Sequence, residues 1–262
     1  MVRIIGTSAS ETITGTFDTD HLFGLGGDDH LIGLDSDDQL VGGAGADLLE
    51  GGDGDDYYYH IDAFDMVVDT GGWDTIRAGH TTDLEDFPEI ENLQMLANTS
   101  GRQLLGNSDL NVLVDADGSN LLDGRAGDDA LFGHSGDDIL VGGLGDDTLV
   151  GGAGSDRFEF YSLAETGVGE MQRDIIADFE SGSDLINLGR LDADAGHSGN
   201  QAFRFLGATE FTGTAGELVT YQQVVDLELT TVLAGDSNGD GVADFEIELR
   251  GNIALSSGDF IL

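Results

Sequence analysis

Carboxylates recur in this chain at an interval of nine residues, and that spacing is the first sign of chemistry. From residue 24 the sequence reads GLGGDDHLI, GLDSDDQLV, GGAGADLLE and GGDGDDYYY, preceded by the degenerate GTSASETIT at 6–14 and GTFDTDHLF at 15–23. A second run fills 106–159 as GNSDLNVLV, DADGSNLLD, GRAGDDALF, GHSGDDILV, GGLGDDTLV and GGAGSDRFE. Each run holds six nonapeptides, and the two frames are offset by 100 residues, as a duplicated unit would be. The sixth positions are Glu11, Asp20, Asp29, Asp38, Asp47 and Asp56, then Asn111, Asn120, Asp129, Asp138, Asp147 and Asp156. Stacked turns of this kind bring carboxylates and exposed backbone carbonyls from successive repeats to one point. Such a cage of hard oxygen donors suits Ca²⁺ rather than Zn²⁺ or Cu²⁺.

The elements that hold these turns follow from the rest of the repeat. Position eight is always large and apolar: Ile13, Leu22, Leu31, Leu40, Leu49 and Tyr58, then Leu113, Leu122, Leu131, Leu140, Leu149 and Phe158. Three residues centred on it make a very short strand, with one side chain inward and two outward. The six residues before it form a turn in which glycine permits positive φ and close backbone approach. Two nonapeptides then make one full coil. Stacked coils give two parallel sheets with the apolar side chains between them. A core one side chain thick contributes little for the backbone it must order, so the turns need help.

Composition agrees. The 262 residues carry 52 Asp+Glu against 9 Lys+Arg, a formal charge of −43. Nucleic-acid phosphates and anionic membranes are excluded as electrostatic partners, and cations are favoured. Disorder fits poorly with 39% apolar residues and a mean hydropathy of −0.09. With 42 Gly and no Cys, the chain is rich in turns and has neither disulfides nor thiolate metal sites. No apolar run reaches the roughly 18 residues of a transmembrane helix. Residues 1–15 lack the apolar stretch of a secretory signal peptide.

The tandem pattern resembles the RTX, or haemolysin-type, calcium-binding repeats, with consensus G-G-x-G-x-D-x-U-x; GGAGADLLE, GGDGDDYYY, GGLGDDTLV and GGAGSDRFE match it closely. The resemblance implies an all-β fold: a right-handed parallel β-roll or β-helix solenoid built from nonapeptide repeats, capped by a C-terminal β-rich region. It also implies that the sixth-position Asp binds Ca²⁺ with backbone carbonyls of the same and the next turn on that side. That role passes to Asp29, Asp38, Asp47, Asp56, Asp129, Asp138, Asp147 and Asp156. Glu11, Asn111 and Asn120 depart from the pattern, as do Asp18, Ser36 and Asp109 at the fourth, normally glycine, position. The expectation is roughly five to seven Ca²⁺ in all.

Four regions are expected: a first array at 1–59, irregular wider coils at 60–105 continuing the solenoid, a second array at 106–159, and a cap at 160–262. Residues 60–105 lose the nine-residue beat but keep strand character around Asp65–Asp69, Asp74–Ala78 and Glu91–Leu96. Trp73, Tyr57 and Tyr59 could offer a stacking surface to an extracellular polysaccharide, although outward aromatics also stabilise strands unaided. The longer strands after 160, with F-x-F, D-x-I-x-D-F and G-x-D-x-I-x-L, resemble the C-terminal domain of serralysin-type secreted proteins. Within them Asp236, Asn238, Asp240 and Asp244 place oxygen side chains at relative positions 1, 3, 5 and 9, with Gly241 at 6, like the first part of an EF-hand loop. Ile247 stands where the bidentate Glu would be, and Phe245 and Ile247 suit a strand rather than an exiting helix. This loop is read as a weak Ca²⁺ site, the alternative being an Asx-rich hairpin turn without metal. The C-terminal Gly258-Asp259-Phe260-Ile261-Leu262 resembles the acidic-then-apolar tail that accompanies an uncleaved type I secretion signal.

No catalytic constellation emerges. None of the six histidines lies in H-E-x-x-H, and the serralysin resemblance, over about 100–262, stops short of a protease domain. The chain is therefore read as a non-enzymatic, secreted or surface-associated calcium-binding protein. Its partners would be Ca²⁺ and the type I secretion apparatus, with a role in extracellular matrix, adhesion or host contact. The alternative is an accessory module of a secreted polysaccharide-modifying or hydrolytic enzyme, aiding its secretion, folding and substrate attachment.

Overall fold

The computed structural model describes residues 1–61, 64–96, 100–194, 196–225 and 227–262; parts of the span 60–105 lie outside the described residues. The chain divides into two compact units, Met1–Ala97 and Asn98–Leu262. Both are β-solenoids of mostly parallel strands, and the described residues contain no α-helix.

In the first unit, Val2–Ile5, Asp20–Gly26, Gln39–Ala44, Tyr57–Tyr59, Thr75–Ala78 and Asn92–Met95 form one parallel sheet. Thr12–Thr14, His30–Asp35, Leu48–Asp53 and Met66–Val68 form the sheet facing it. The register is the coil length: Leu22 pairs with Leu40, Leu31 with Leu49 and Leu40 with Tyr58, each partner two repeats on. Position eight points inward, and Leu22, Leu31, Leu40, Leu49 and Tyr58 have no exposed surface. Positions seven and nine flank it half-buried on the outer face.

The beat expected to stop at Tyr59 runs two repeats further. Leu49 pairs with Val67 and Tyr58 with Ile76 at the same two-repeat spacing, and the shortening comes only with the Ile76–Leu93 pair. The glycine signature fades after 59, but the acidic sixth and apolar eighth positions (Asp65 and Val67, Asp74 and Ile76) persist and keep the register. On the outer face, the Arg77 guanidinium lies over Tyr57 and Tyr59, at 5.0 and 5.5 Å from the ring centroids. Trp73 is half exposed.

In the second unit, Gln103–Leu105, Leu121–Ala126, Ile139–Leu144, Arg157–Glu159, Leu185–Asn187 and Phe260–Ile261 form one parallel face. Val112–Val114, Ala130–Phe132, Thr148–Val150 and Ile175–Ile176 form the other, which continues into Phe245–Arg250. There the architecture changes. Glu217–Val225, Glu228–Asp236 and Phe245–Arg250 run antiparallel and close the end of the roll, as a solenoid with exposed terminal backbone requires. Phe203 packs on the edge of Phe245, and Phe205 on Phe260, sealing the last coil.

Candidate metal centres

Eight of the sixth-position carboxylates divide their two oxygens between two tasks. Oδ1 accepts the backbone N–H of the equivalent residue one coil earlier: Asp29 from Glu11, Asp38 from Asp20, Asp47 from Asp29 and Asp56 from Asp38, at 2.6–2.8 Å. In the second unit Asp129, Asp138, Asp147 and Asp156 do the same with Asn111, Asn120, Asp129 and Asp138, at 2.7–2.8 Å. Oδ2 of all eight is buried and has no hydrogen-bond partner. A buried carboxylate oxygen without a donor is costly, and the same unmet need recurs in eight equivalent turns.

The first-position glycines leave the space for it. A Cβ on Gly133 would lie 2.6 Å from both Asp138 Oδ2 and Gly151 O of the following coil. Gly24, Gly33 and Gly124 are equally blocked by the Asp of their own repeat and the next glycine carbonyl. Each turn thus gathers a carboxylate oxygen and a main-chain carbonyl around one point, a donor set that fits Ca²⁺. Loss of hydration in this setting raises the proton affinity of Asp38, Asp47, Asp56, Asp129, Asp138, Asp147 and Asp156. Burial pushes Asp38 and Asp156 up to about 6, Asp138 and Asp147 to about 7, and Asp56 and Asp129 to about 8, against the hydrogen bonds that lower them.

The departures from consensus close their turns with protein donors. Glu11 binds Thr7 through its backbone N–H and its hydroxyl. Asp20 Oδ2 accepts from Thr16 N and Oγ1 at 2.6 and 2.9 Å. Asn120 directs its amide at Asp115 Oδ2, 2.6 Å away. The loop carrying Asp236, Asn238, Asp240 and Asp244 is also self-bonded. Asp236 accepts from Gly239 N and Gly241 N, and Asp244 accepts from Ser237 N and Oγ and from Asn238 Nδ2. Asp240 Oδ1 accepts from Val242 N and Asn238 Oδ1 from Asp240 N, both at 2.9 Å. The four residues converge there on an Asx-rich turn that leads into the strand Phe245–Arg250.

Several acids escaped the sequence reading. Asp174 accepts from Asp147 N at 3.1 Å, its Oδ2 is buried without a partner, and burial pushes it up to about 9. Asp184 accepts from Asp156 N at 3.0 Å but spends its other oxygen on Glu180 N. Asp74 accepts from Asp56 N at 2.7 Å, and Asp65 from Asp47 N at 3.0 Å. Asp65 and Asp74 sit two repeats beyond Asp47 and Asp56, so spacing alone could have found them. Asp174 follows Asp147 by 27 residues, three nonapeptides rather than two, so it keeps the repeat frame across a longer coil; Asp184 follows Asp156 by 28 and falls outside that frame. Among the described residues, one group of three acids lies close enough to share an ion: Asp56, Asp69 and Asp74, all buried.

Residues 5–40, 32–60 and 105–140 match the RTX calcium-binding nonapeptide repeat, and residues 124–262 match the peptidase M10 serralysin C-terminal family. No curated protein sequence matches the chain. Similar solved structures include the AlgE6R3 subunit of the Azotobacter vinelandii mannuronan C5-epimerase, at 26% identity over 60% of this chain and 81% of that one (TM-score 0.44). The AlgE6R2 subunit of the same epimerase is 26% identical over 63% of this chain and 92% of its own (TM-score 0.38). The extracellular lipase LipA from Serratia marcescens is 17% identical over 99% of this chain and 40% of its own (TM-score 0.35). The matched regions are the calcium repeat and the C-terminal part of a peptidase family, not its catalytic part. With its repeat turns built around partnerless carboxylates and more than half its length within the match, the chain belongs to the peptidase M10 serralysin C-terminal family and carries RTX calcium-binding repeats.

Proposed function

We propose that this chain is a calcium-triggered folding module of an exported protein, extended inside the cell and folded outside it. The observation that carries the reading is the row of buried, partnerless Oδ2 atoms at Asp29, Asp38, Asp47, Asp56, Asp129, Asp138, Asp147 and Asp156. Without Ca²⁺ these carboxylates oppose the stacking of coils, and a core one side chain thick cannot offset that. With millimolar Ca²⁺ the ions bind the folded form alone and draw the equilibrium over. Five to seven ions remain the expected load, with the arrays at 1–59 and 106–159 as the switching regions and 160–262 as the cap. Asp236, Asn238, Asp240 and Asp244 would take a weaker ion by exchanging their internal donors for it.

The tail supports export in the unfolded state. Phe260–Ile261 pairs with Leu185–Asn187, and Asp259 is buried, accepting from Gly182 N at 2.8 Å and Ser256 N at 2.6 Å. A type I secretion apparatus could read this tail only before the cap forms. After export, a role in matrix, adhesion or host contact fits a chain matched to repeat and cap families. The same features also suit an accessory module of a secreted enzyme. A polysaccharide partner would meet Tyr57, Tyr59 and Trp73 together with Arg77, which already occupies both tyrosine faces.

The test is a Ca²⁺ titration followed by far-ultraviolet circular dichroism, with Mg²⁺ as control and calorimetry for stoichiometry. A coil-to-β transition near about 10⁻⁴–10⁻³ M Ca²⁺, with several ions bound and little response to Mg²⁺, is expected. A chain fully folded in excess chelator would overturn the switch.

A further inference from the structure

The repeat from Asp69 to Arg77 has an acid at its first position, where the well-formed turns have glycine. In those turns the space beside the glycine faces the neutral carbonyl of the next first-position residue, as Gly33 faces Gly51 O. Beside Gly51 the corresponding place is taken by a carboxylate: a Cβ there would lie 2.6 Å from Asp69 Oδ2 and also collide with Asp56 Oδ2 and the Tyr58 hydroxyl. Asp74, the sixth-position acid of the same repeat, supplies a third carboxylate, with oxygens of all three within 4.8 Å of one another. All three residues are buried, and Asp56 Oδ2 has no partner.

Asp69 is held in place before any ion arrives. Its Oδ1 accepts from Thr70 N at 2.5 Å and Gly71 N at 3.1 Å, and the Tyr58 hydroxyl donates to its Oδ2. Asp115 provides an internal comparison, because it too is a first-position acid. Its sixth-position partner is Asn120, whose amide donates to it and closes the pair without a cation. Asp69 lies close to Asp74 instead, and a second carboxylate brings no N–H to close the pair as the Asn120 amide does.

We propose that the first array ends in a three-carboxylate cation site, Asp56–Asp69–Asp74, that fills before the ordinary turns and nucleates the coils preceding it. This rests on the calcium reading above. An anionic ligand in place of a neutral carbonyl raises the charge of the site, and ligand charge is a main determinant of affinity for hard cations. Preorganisation by Tyr58 and by the N–H groups of Thr70 and Gly71 removes part of the ordering cost. The position suits nucleation, since Asp56 and Asp74 both belong to the hydrogen-bonded ladder that climbs from Asp20 through Asp38.

The experiment titrates the full chain with Tb³⁺, read as luminescence sensitised by tyrosine and tryptophan, because Tyr58 touches the site and Trp73 adjoins Asp74 in sequence. Ca²⁺ stoichiometry is measured in parallel by calorimetry. Wild type should show an early luminescent phase saturating at one ion per chain, before the β transition is complete, and Ca²⁺ should compete it away. Asp69→Asn should abolish that phase and weaken the first Ca²⁺ by about tenfold or more, while later ions still fold the chain. Asp69→Gly restores the usual first-position residue and should convert the site to an ordinary, later-filling turn; it decides the matter if the Asn variant does not fold. Wild-type titrations without an early phase, or variants that retain it, would overturn the proposal. A chain that binds neither Tb³⁺ nor Ca²⁺ would instead overturn the calcium reading beneath it.

Discussion

At the sixth position of a repeat, aspartate does what neither glutamate nor asparagine can do in its place. Its short side chain reaches one coil back with Oδ1 and leaves Oδ2 in the turn. Glu11, one methylene longer, folds onto Thr7 in its own repeat, and Asn120 replaces the missing ion with an amide proton. The two kinds of turn should therefore differ in their response to truncation. Asp147→Ala removes the Oδ2 proposed to bind Ca²⁺ and the acceptor of Asp129 N, leaving a buried donor unpaired. It is expected to raise the Ca²⁺ midpoint about tenfold or more, whereas Glu11→Ala should leave it nearly unchanged. Equal midpoints for the two variants, in titrations followed by circular dichroism, would remove the distinction between metal-holding and self-closing turns.

Strand and turn elements were legible in the sequence wherever one residue sets their geometry. The apolar eighth position and the glycine-rich turn fix a coil of two repeats, and the observed registers of Leu22, Leu31 and Leu40 follow it. The continuation through Asp65 and Asp74 is masked by the loss of the glycines, although the acid and apolar positions carry on at the same spacing. The cap was legible as β structure but not in its interactions, since those join residues far apart in the chain. Arg173 is the clearest case. It lies buried between Glu246, at 3.2 Å, and Glu248, at 2.7 Å, tying the segment before Ile175–Ile176 to the strand Phe245–Arg250. Its neighbour Asp174 completes the ladder above Asp147. Arg173→Met would leave two buried glutamates without their cation, and removing one partner of such a group typically costs about 3–5 kcal/mol. Denaturant unfolding at saturating Ca²⁺ should show a loss of that order, together with a weaker ion in the Asp147–Asp174 turn. Unchanged stability would mean the cap is held by its apolar contacts alone.

For the molecule as a whole, the charge of −43 makes protons and Ca²⁺ competitors for the same oxygens. Burial raises the folded-state pKa of Asp38 and Asp156 to about 6, of Asp138 and Asp147 to about 7, of Asp56 and Asp129 to about 8, and of Asp174 to about 9. An acid whose pKa is higher in the folded than in the unfolded chain binds more protons when folded. Its contribution favours the metal-free fold fully below the unfolded value of about 4, and is lost as pH rises through the folded value. In chelator, then, the chain should be least folded above pH 9, and should regain β structure on acidification as the pH falls through 9 towards 6. With Ca²⁺ present the sign reverses for the ion, which must displace those protons, so its midpoint should rise as pH falls over the same window. Both slopes come from the same carboxylates and must appear together in circular dichroism measured against pH at several Ca²⁺ concentrations. A chelated chain whose β content does not change from pH 9 to pH 6 would show that the buried acids do not control folding.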